Sequence, residues 1–251
     1  MESDKKIVSV VTPCFNEEDS ILNCYEVVKE IFKDLKNVDY EHIFSDNSST
    51  DSTQKILKKI AKEDSNIKVL INSHNVGPFV NNYNALSYAT GDYVLIFLPA
   101  DLQDPPNLIP EMLDKIENGY EIVLGIRNTR LENFFLKLMR TIFYRLMNIF
   151  SSHKVPVGAG EFMMITKKIH QIILDSDNDI PYIRGIVAQL NFPKTEIKYT
   201  WDKRKFGQSK NSFSDLMDQA INAFIMMSFK PIRFFLYLGA LMFTTSFSLL
   251  V

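Results

Sequence analysis

The stretch 91–106 places three oxygen-bearing side chains directly after a run of apolar residues. Asp101, Gln103 and Asp104 lie within four positions of one another, just beyond the apolar segment 93–98. This segment predicts a buried strand, because it is short, continuous and rich in β-branched and aromatic residues. Carboxylate and amide oxygens suit a divalent cation such as Mg²⁺ or Mn²⁺, which would in turn hold a diphosphate. The alternative interpretation is a solvated turn after a core strand.

The composition describes a chain large enough for one α/β domain and an additional segment. It has 251 residues, of which 46% are hydrophobic and 23% are charged, and its formal net charge is −2. This charge argues against a general nucleic-acid-binding protein. The only cysteines, Cys14 and Cys24, lie ten positions apart on a predicted strand end and a predicted helix, so neither a disulfide framework nor a zinc site is indicated.

Residues 234–251 are the part of the sequence that predicts a membrane segment. They are 18 residues without a charge, and they follow Lys230 and Arg233. As a helix with a rise of ~1.5 Å per residue they would extend roughly 27 Å, close to the ~30 Å hydrocarbon thickness of a bilayer. The basic residues before them predict that the bulk of the chain lies in the cytoplasm. Because the apolar run continues to the last residue, we expect further membrane helices beyond it.

Strands and helices alternate along the first hundred residues. Strands are predicted at 7–12, 41–45, 67–71 and 93–98, with helices between them, the first ending near residue 35 and the last running from about 79 to 89. This alternation predicts a mostly parallel sheet covered on both faces. Ligands bind such sheets at the carboxyl ends of the strands. We therefore expect the polar loops 13–18, 46–51 and 99–104 to converge on one crevice.

Six segments in this order and spacing resemble glycosyltransferase family 2. They are VVTPCFNEE, SDNSSTDST, NVGPFVNNYNAL, GDYVLIFLPADLQDPP, GIRNTR and KRKFGQSK. The sequence resembles in particular the polyprenyl-phosphate branch, which contains dolichol-phosphate mannose synthases and bactoprenol glucosyltransferases. The resemblance covers nearly the whole chain. It implies a GT-A type nucleotide-sugar-binding domain over residues 1–211, an amphipathic juxtamembrane helix over 212–230 and a transmembrane helix over 231–251.

The resemblance also implies a nucleoside pocket in the first two polar loops. Pro13, Phe15 and Glu17 would line it, and Asp46 would reach the base or the ribose. A carboxylate at a strand end suits this role, because ribose hydroxyls and base N–H groups are hydrogen-bond donors. The alternatives are an ordinary turn residue for Asp46 and core packing for Phe15.

Two basic segments are implied to bind phosphate groups. Arg127 and Arg130 resemble a clamp for the acceptor phosphate, which guanidinium groups can hold through two parallel hydrogen bonds. Arg204, Ser209 and Lys210 would lie on a mobile loop that closes on the donor diphosphate and the acceptor phosphate. The alternatives are solvated arginines in the first segment and a basic cluster that contacts anionic lipid in the second.

The sequence departs from the family pattern at several of these positions. Pro99 replaces the first acid of the family's DxD, which leaves Asp101 and Gln103 as metal ligands with Asp104 in support. The family's DAGDFR segment is Gly158–Met163 here, so that Glu161 replaces an aspartate and Met163 replaces an arginine. These changes weaken any prediction of which sugar is transferred.

Residues 133–151 predict an amphipathic helix. Phe135, Leu138, Met139, Ile142, Leu146, Ile149 and Phe150 recur at helical spacing, with basic residues between them. Such a helix is typical of a membrane surface, and a core helix is the alternative.

Together these features predict a membrane-anchored inverting glycosyltransferase. It would move a hexose from a UDP- or GDP-linked sugar to a polyprenyl phosphate, with Mg or Mn as cofactor, without binding nucleic acid and with homo-oligomers left open. Glu161 is expected to bind a sugar hydroxyl or to orient a loop. One alternative is a family 2 transferase with a sugar-hydroxyl acceptor, which would need Glu161 as its base. The other is a non-catalytic, membrane-tethered scaffold.

Overall fold

The computed structural model describes residues 5–129, 145, 158–176, 183–200 and 230–250. The chain divides into two compact units, one formed by Met1–Leu131 and Gly158–Ser209, the other by Glu132–Val157 and Lys210–Val251. The helices predicted over residues 133–151 and 212–229 lie outside the described residues, apart from Arg145.

The first unit contains a seven-stranded sheet with the strand order β3-β2-β1-β4-β6-β5-β7. The strands are β1 Lys6–Cys14, β2 Val38–Asp46, β3 Ile67–Ile71, β4 Tyr93–Leu95, β5 Ile122–Thr129, β6 Ala159–Thr166 and β7 Lys194–Thr200. The helices are α1 Ile21–Asp34, α2 Thr53–Glu63, α3 Pro78–Ser87, α4 Ile109–Glu117, α5 Lys167–Leu174 and α6 Ile183–Gln189. Strand β6 runs antiparallel to β4 and β5, and the other pairs are parallel, so the prediction of a mostly parallel sheet is confirmed.

Helices pack on both faces of β2. Successive side chains of a strand point to opposite faces, so contacts of its residues show which helix lies on which face. Tyr40 stacks on Phe32 of α1 with ring centroids 4.5 Å apart. Ser45, which points to the other face, donates a hydrogen bond of 2.7 Å to Asn81 of α3. Helix α1 buries Ile21, Cys24, Val28 and Phe32 at helical spacing. Each large apolar side chain buried in this way stabilises the fold by about 1.5–3 kcal/mol.

The observed strand ends differ from the predicted ones, except in β3. Strands β1 and β2 are longer than predicted because they pair without interruption from Lys6 and Val38 to Cys14 and Asp46. Strand β4 ends at Leu95, earlier than predicted. The following backbone still bonds both neighbouring strands, since the Ile96 N–H donates to Met163 and the Leu98 N–H donates to Val11. Both cysteines are buried and free.

Helix α7, Lys230–Leu250, is the described part of the second unit that coincides with the predicted membrane segment. Most of its apolar side chains are exposed, including Phe243 and Leu249. Within the ranges described, no helix has the combination of length and hydropathy that defines a membrane-spanning candidate. The predicted transmembrane helix over residues 231–251 is therefore not confirmed.

His42 is a buried titratable group at the centre of β2. Its ring is fully buried, its Nε2 lies 2.8 Å from Thr12 Oγ1, and its centroid lies 3.9 Å from that of Phe44. Burial lowers the pKa of His42 from 6.5 to about 3. The unfolded chain therefore binds a proton at pH values where the folded protein does not, so acidification through this range favours unfolding.

We expect His42 to make the protein acid-sensitive. Between pH 7.5 and 5 the unfolding free energy should fall by about 2 kcal/mol through His42 alone, given ~1.4 kcal/mol per pH unit below the unfolded pKa. Denaturant unfolding of His42→Gln should show a pH dependence smaller by that amount. The exposed His74→Gln provides the control. An unchanged pH dependence in His42→Gln would show that His42 takes up its proton equally in both states.

Candidate active site

The loops after β1 and β2 interlock at the carboxyl edge of the sheet. The Asn16 N–H donates to Ser49 Oγ at 2.8 Å, and the Thr50 N–H donates to Asn16 Oδ1 at 2.7 Å. The Ser52 N–H donates to a Glu18 carboxylate oxygen at 2.9 Å. We call residues 15–20 the first loop, 47–52 the second loop and 96–105 the third loop, which follows β4. The first two loops therefore form one surface before any ligand is bound.

Each of the three loops contains one non-glycine residue in the left-handed backbone region. These residues are Asn16 with φ 53°, Ser48 with φ 63° and Leu102 with φ 55°. This conformation is rare for a side chain as large as leucine and costs about 1–3 kcal/mol. The turn around Leu102 is held because its N–H donates to the Pro99 carbonyl at 3.0 Å. Pro99 thus contributes a backbone acceptor where the family pattern has an acid.

Asp46 has one carboxylate oxygen with partners and one without. The side chain is fully buried, and its Oδ2 accepts hydrogen bonds from the Ser49 N–H at 3.0 Å and from Gln54 Nε2 at 2.8 Å. Its Oδ1 is buried and has no hydrogen-bond partner within the described parts of the chain. Because a buried acceptor without a partner is unfavourable, this oxygen suits an incoming donor such as a ribose hydroxyl or a base N–H.

The structure brings the other predicted nucleoside residues to the same edge. In the β1–β2 register, Pro13 lies opposite Ser45 and Cys14 lies opposite Asp46. Phe15 and Glu17 follow in the first loop, and both are half-buried. The partial exposure of Phe15 distinguishes it from an ordinary core residue.

The third loop lies near the first loop. Burial raises the pKa of the Cys24 thiol to about 12, and the negative charges of Asp101 and Glu17 both add to this effect. The third loop also lies beside β1, the strand that precedes the first loop, because the Leu98 N–H donates to the Val11 carbonyl oxygen at 2.8 Å. Within the third loop, Asp101 Oδ1 accepts the Gln103 N–H at 3.2 Å. The first two loops are thus in direct contact, and the third loop is bonded to the strand from which the first loop leaves.

Asp104, which we expected to support the metal, binds Arg127 instead. Its carboxylate accepts hydrogen bonds from Arg127 Nε at 2.9 Å and from Arg127 Nη2 at 2.6 Å. The Tyr199 hydroxyl donates to Asp104 Oδ1 at 2.5 Å. Both carboxylate oxygens of Asp104 are therefore engaged. The guanidinium predicted to clamp an acceptor phosphate directs two of its nitrogens at Asp104, and its role towards the acceptor stays a prediction.

Two glycines of the segment Gly158–Met163 make room for Arg127. A Cβ atom at Gly158, whose φ is 90°, would lie 2.8 Å from the Arg127 carbonyl oxygen. A Cβ atom at Gly160 would lie 3.4 Å from the guanidinium carbon. Met163 is almost completely buried, so its side chain belongs to the core. Nothing local in the sequence links these glycines to Arg127, because the contact depends on the pairing of β5 with β6.

Glu161 lies in a buried polar cluster that sequence reasoning missed. Its Oε2 accepts a hydrogen bond of 3.1 Å from Asn82 Nδ2, and its Oε1 lies 3.7 Å from Arg184 Nε. Burial raises the pKa of the Glu161 carboxyl. Asn82 Oδ1 is buried without a hydrogen-bond partner among the described residues. The three asparagines of α3, Asn81, Asn82 and Asn84, were the available signal for Asn82, and no local signal pointed to Arg184.

The third loop supplies an incomplete set of metal ligands. The carboxylate of Asp101 and the amide of Gln103 are hard oxygen donors, which fit Mg²⁺ or Mn²⁺. Within the described ranges, no three His, Cys, Asp or Glu side chains form a cluster that could hold a metal. A cation at Asp101 would need further ligands, which water, a phosphate group or another residue could supply. Arg130, Arg204, Ser209 and Lys210 lie outside the described residues.

An open groove of about 550 Å³ lies on the outer side of the second loop. It is lined by Ser49, Asp51, Gln54, Lys55, Lys58, Lys59 and Lys62. Neither Asp46 nor Asp101 lines this groove, and the four lysines are exposed along α2. We therefore place the candidate site at the three loops rather than in this groove.

Comparison with known proteins agrees with this arrangement. Residues 9–174 match the family model described as glycosyl transferase family 2. The chain belongs to glycosyltransferase family 2. The match begins in β1 and ends in α5, so it contains all three loops as well as Arg127 and Glu161. The three loops at the carboxyl edge of the sheet therefore lie within the domain that the family model describes.

Two relatives and one solved structure illustrate the similarity. An uncharacterized glycosyltransferase, YkcC, of Bacillus subtilis is 32% identical over 95% of this chain and 74% of its own length. The bactoprenol glucosyl transferase of Shigella phage SfX is 30% identical over 96% of this chain and 78% of its own length. Glucosyl-3-phosphoglycerate synthase of Mycobacterium tuberculosis, crystallised with Mn²⁺ and UDP, has a TM-score of 0.58 at 18% identity over 88% of this chain and 80% of that chain. The fold is GT-A-like.

We expect Asp101→Asn to abolish metal-dependent transfer. Asp101 is the predicted carboxylate ligand of the metal, and metal stabilisation of a departing diphosphate is worth several kcal/mol, so the rate should fall by roughly a hundredfold or more. Transfer should be measured across Mg²⁺ and Mn²⁺ concentrations. Asp39→Asn, an exposed change at the amino end of β2, should leave the rate unchanged. Transfer by Asp101→Asn within a few-fold of wild type would exclude Asp101 as a metal ligand.

Proposed function

We propose that this protein transfers one hexose, with inversion, from a nucleotide sugar to a polyprenyl phosphate. The observation that carries the proposal is the extent of the similarity to bactoprenol glucosyl transferases. It covers 241 residues, 96% of the chain, whereas the family model ends at residue 174. The similarity therefore includes the segment that follows the nucleotide-sugar domain, where an acceptor-specific part of the enzyme is expected.

The donor would bind across the first and second loops. Asp46 would accept a hydrogen bond from the base or the ribose through its buried Oδ1, while Pro13, Phe15 and Glu17 would surround the nucleoside. Interlocking of the two loops supports this assignment, because a preformed pocket binds without a further ordering cost. Either a UDP- or a GDP-linked sugar fits this proposal.

The leaving diphosphate would lie at the third loop. Asp101 and Gln103 would hold a divalent cation, which when bound offsets the negative charge that builds up on the leaving group. By resemblance, Arg204 and Lys210 would add positive charge from the loop that follows β7. The Asp101–Gln103 hydrogen bond supports this placement, because it orders the turn before any ligand arrives.

The acceptor phosphate would attack without a strong general base. A phosphate monoester has a second pKa of about 6 and is therefore already an anion near neutral pH. Arg130 would orient the acceptor phosphate, which lowers the barrier by proximity. Glu161 would then bind a sugar hydroxyl together with Asn82. Its burial beside Arg184 supports such a positioning role.

The protein would act at the cytoplasmic face of a membrane, to which its C-terminal segment attaches it. The exposed apolar side chains of α7 and the basic residues Lys230 and Arg233 support this proposal. The lipid acceptor would then reach the site from the same membrane.

The proposed function is tested by supplying membranes that contain the full-length protein with a panel of labelled UDP- and GDP-sugars. We expect label from one donor to enter organic-extractable lipid, and to require Mg²⁺ or Mn²⁺. Membranes with Asp101→Asn are the matched control. Label that enters only water-soluble glycans would instead support a sugar-hydroxyl acceptor, and label that enters no product would support the scaffold.

We expect Arg130→Ala to weaken the use of the lipid acceptor. Hydrogen bonds to charged groups are worth roughly 1.5–3 kcal/mol, so the acceptor KM should rise on the order of tenfold or more. Donor affinity should change little, because the nucleoside residues lie in other loops. Lys36→Ala, an exposed change at the end of α1, is the control. A loss of donor affinity with unchanged acceptor kinetics would remove Arg130 from the acceptor site.

We expect deletion of residues 231–251 to leave a protein that still binds vesicles. The predicted helix over 133–151 has its own apolar face and basic residues, which favour attachment to anionic lipid. Flotation of the deletion protein and the full chain with anionic and neutral vesicles measures this. A deletion protein that stays in the soluble fraction with anionic vesicles would identify residues 133–151 as a core helix.

A further inference from the structure

We propose that Asp104, Arg127 and Tyr199 form a brace that positions the third loop to hold the donor diphosphate. In this proposal, which rests on the proposed function, Arg127 is a positioning residue for Asp101 and Gln103 and acts through Asp104. The resemblance to the family implies instead a direct contact between Arg127 and the acceptor phosphate, so the two roles predict different consequences of the same substitution.

The brace is a buried, two-point ion pair. The Asp104 side chain is 0% exposed and the Arg127 side chain is 16% exposed, and two guanidinium nitrogens bind the two carboxylate oxygens. Burial alone would lower the pKa of Arg127, but the charge of Asp104 and its hydrogen bonds raise it above its ordinary value. Parallel hydrogen bonds of this kind fix orientation as well as distance. Arg127 and Asp104 therefore hold each other in one geometry.

The brace connects elements that are not neighbours in the sheet. Asp104 belongs to the third loop, which follows β4, whereas Arg127 lies on β5 and Tyr199 lies on β7. Strand β6 lies between β4 and β5. The guanidinium can extend over β6 because Gly160 has no side chain at that point, where a Cβ atom would lie 3.4 Å from it. The third loop is thus tied to the far half of the sheet.

The residues held by the brace are next to the proposed metal ligands. Asp104 directly follows Gln103, and Asp101 and Gln103 flank Leu102, whose φ of 55° is unfavourable for leucine. An unfavourable backbone conformation persists only when its surroundings fix it. On one side the turn is fixed by the Leu102–Pro99 backbone hydrogen bond, and on the other side by Asp104. Loss of the brace should therefore release the turn that presents Asp101 and Gln103.

The test measures nucleoside diphosphate binding in the presence and absence of Mn²⁺, which requires no turnover. Full-length Asp104→Asn, Arg127→Gln and the double variant would be titrated with UDP and GDP. We expect each single change to weaken Mn²⁺-dependent binding on the order of tenfold, with Mn²⁺-independent binding within about twofold of wild type. The double variant should be no weaker than the weaker single variant, because both changes break the same interaction. Glu30→Gln, in an exposed ion pair of α1, is the control.

Tyr199→Phe keeps the test decisive if the charge variants fail to fold. It removes only the hydroxyl that donates to Asp104, and we expect it to weaken Mn²⁺-dependent binding by about two- to threefold, less than the charge variants do, because Arg127 still binds Asp104 through two hydrogen bonds. Acceptor kinetics of Arg127→Gln provide the second readout. The brace predicts an acceptor KM close to that of wild type and a lower kcat.

Three results would overturn the brace. The first is that the effects of the two single changes add up in the double variant. The second is that Arg127→Gln has a raised acceptor KM but normal Mn²⁺-dependent nucleotide binding. The third is that the wild-type protein binds the nucleotide equally well with and without Mn²⁺. The proposed function fails separately. If nucleotide binding shows the expected coupling but no label enters lipid, the brace is supported and the polyprenyl-phosphate acceptor is contradicted.

Discussion

The buried carboxylate of Asp104 constrains more of this site than any other described group. A carboxylate removed from water without a partner costs several kcal/mol, and breaking a buried ion pair typically costs about 3–5 kcal/mol. Arg127 must therefore reach Asp104, and the space for it must exist. Gly160, where a Cβ atom would lie 3.4 Å from the guanidinium carbon, leaves this space, and the Tyr199 hydroxyl supplies a third hydrogen bond to Asp104.

The segment between β3 and α3 is held against the second loop by amide side chains. Asn47 Nδ2 donates to Asn75 Oδ1 at 2.7 Å, and Asn47 Oδ1 accepts the Val76 N–H at 2.9 Å. Asn72 Nδ2 donates to Asn81 Oδ1 at 2.8 Å. An amide both donates and accepts, so it can satisfy loop backbone groups that have no strand partner. This network fixes the segment between β3 and α3 against the second loop without introducing a buried charge.

The sequence contains enough information for the order of the elements and for the edge at which the polar loops lie. The residue pattern predicted β3 with its observed bounds, and predicted that Asp46 and Asp101 lie at the carboxyl ends of strands. It did not predict the ends of β1, β2 and β4, because strand ends depend on pairing with neighbours. Strand β4 pairs with β6, which lies about seventy residues further along the chain, and no local pattern reveals such a partner.

The same physical reason explains which site contacts were missed. Asp104 and Arg127 are 23 residues apart, and Asn82 and Glu161 are 79 residues apart. Each pairing exists only because the strand order places β6 between β4 and β5. Residue types at strand ends indicated which side chains could bind a ligand or a metal. The partners of these side chains could be named only from the sheet topology. The acidic turn suggested two metal ligands, Asp101 and Gln103, with Asp104 in support, whereas the topology pairs Asp104 with Arg127.

The described site thus separates two kinds of buried polar group. Asp104 has partners within the protein for both of its carboxylate oxygens. Such a group stabilises the loop and has little capacity left to bind a ligand. Asp46 Oδ1 and Asn82 Oδ1 are buried acceptors without hydrogen-bond partners among the described residues, and each lies beside an oxygen or nitrogen that is already held. Such an atom is oriented but unsatisfied, so it gains most from a hydroxyl or an N–H group. Nucleosides and hexoses carry several donors of this kind. The distribution of satisfied and unsatisfied acceptors therefore favours a ligand that brings hydroxyl groups to the α3 side of the site and a ribose or base to the second loop.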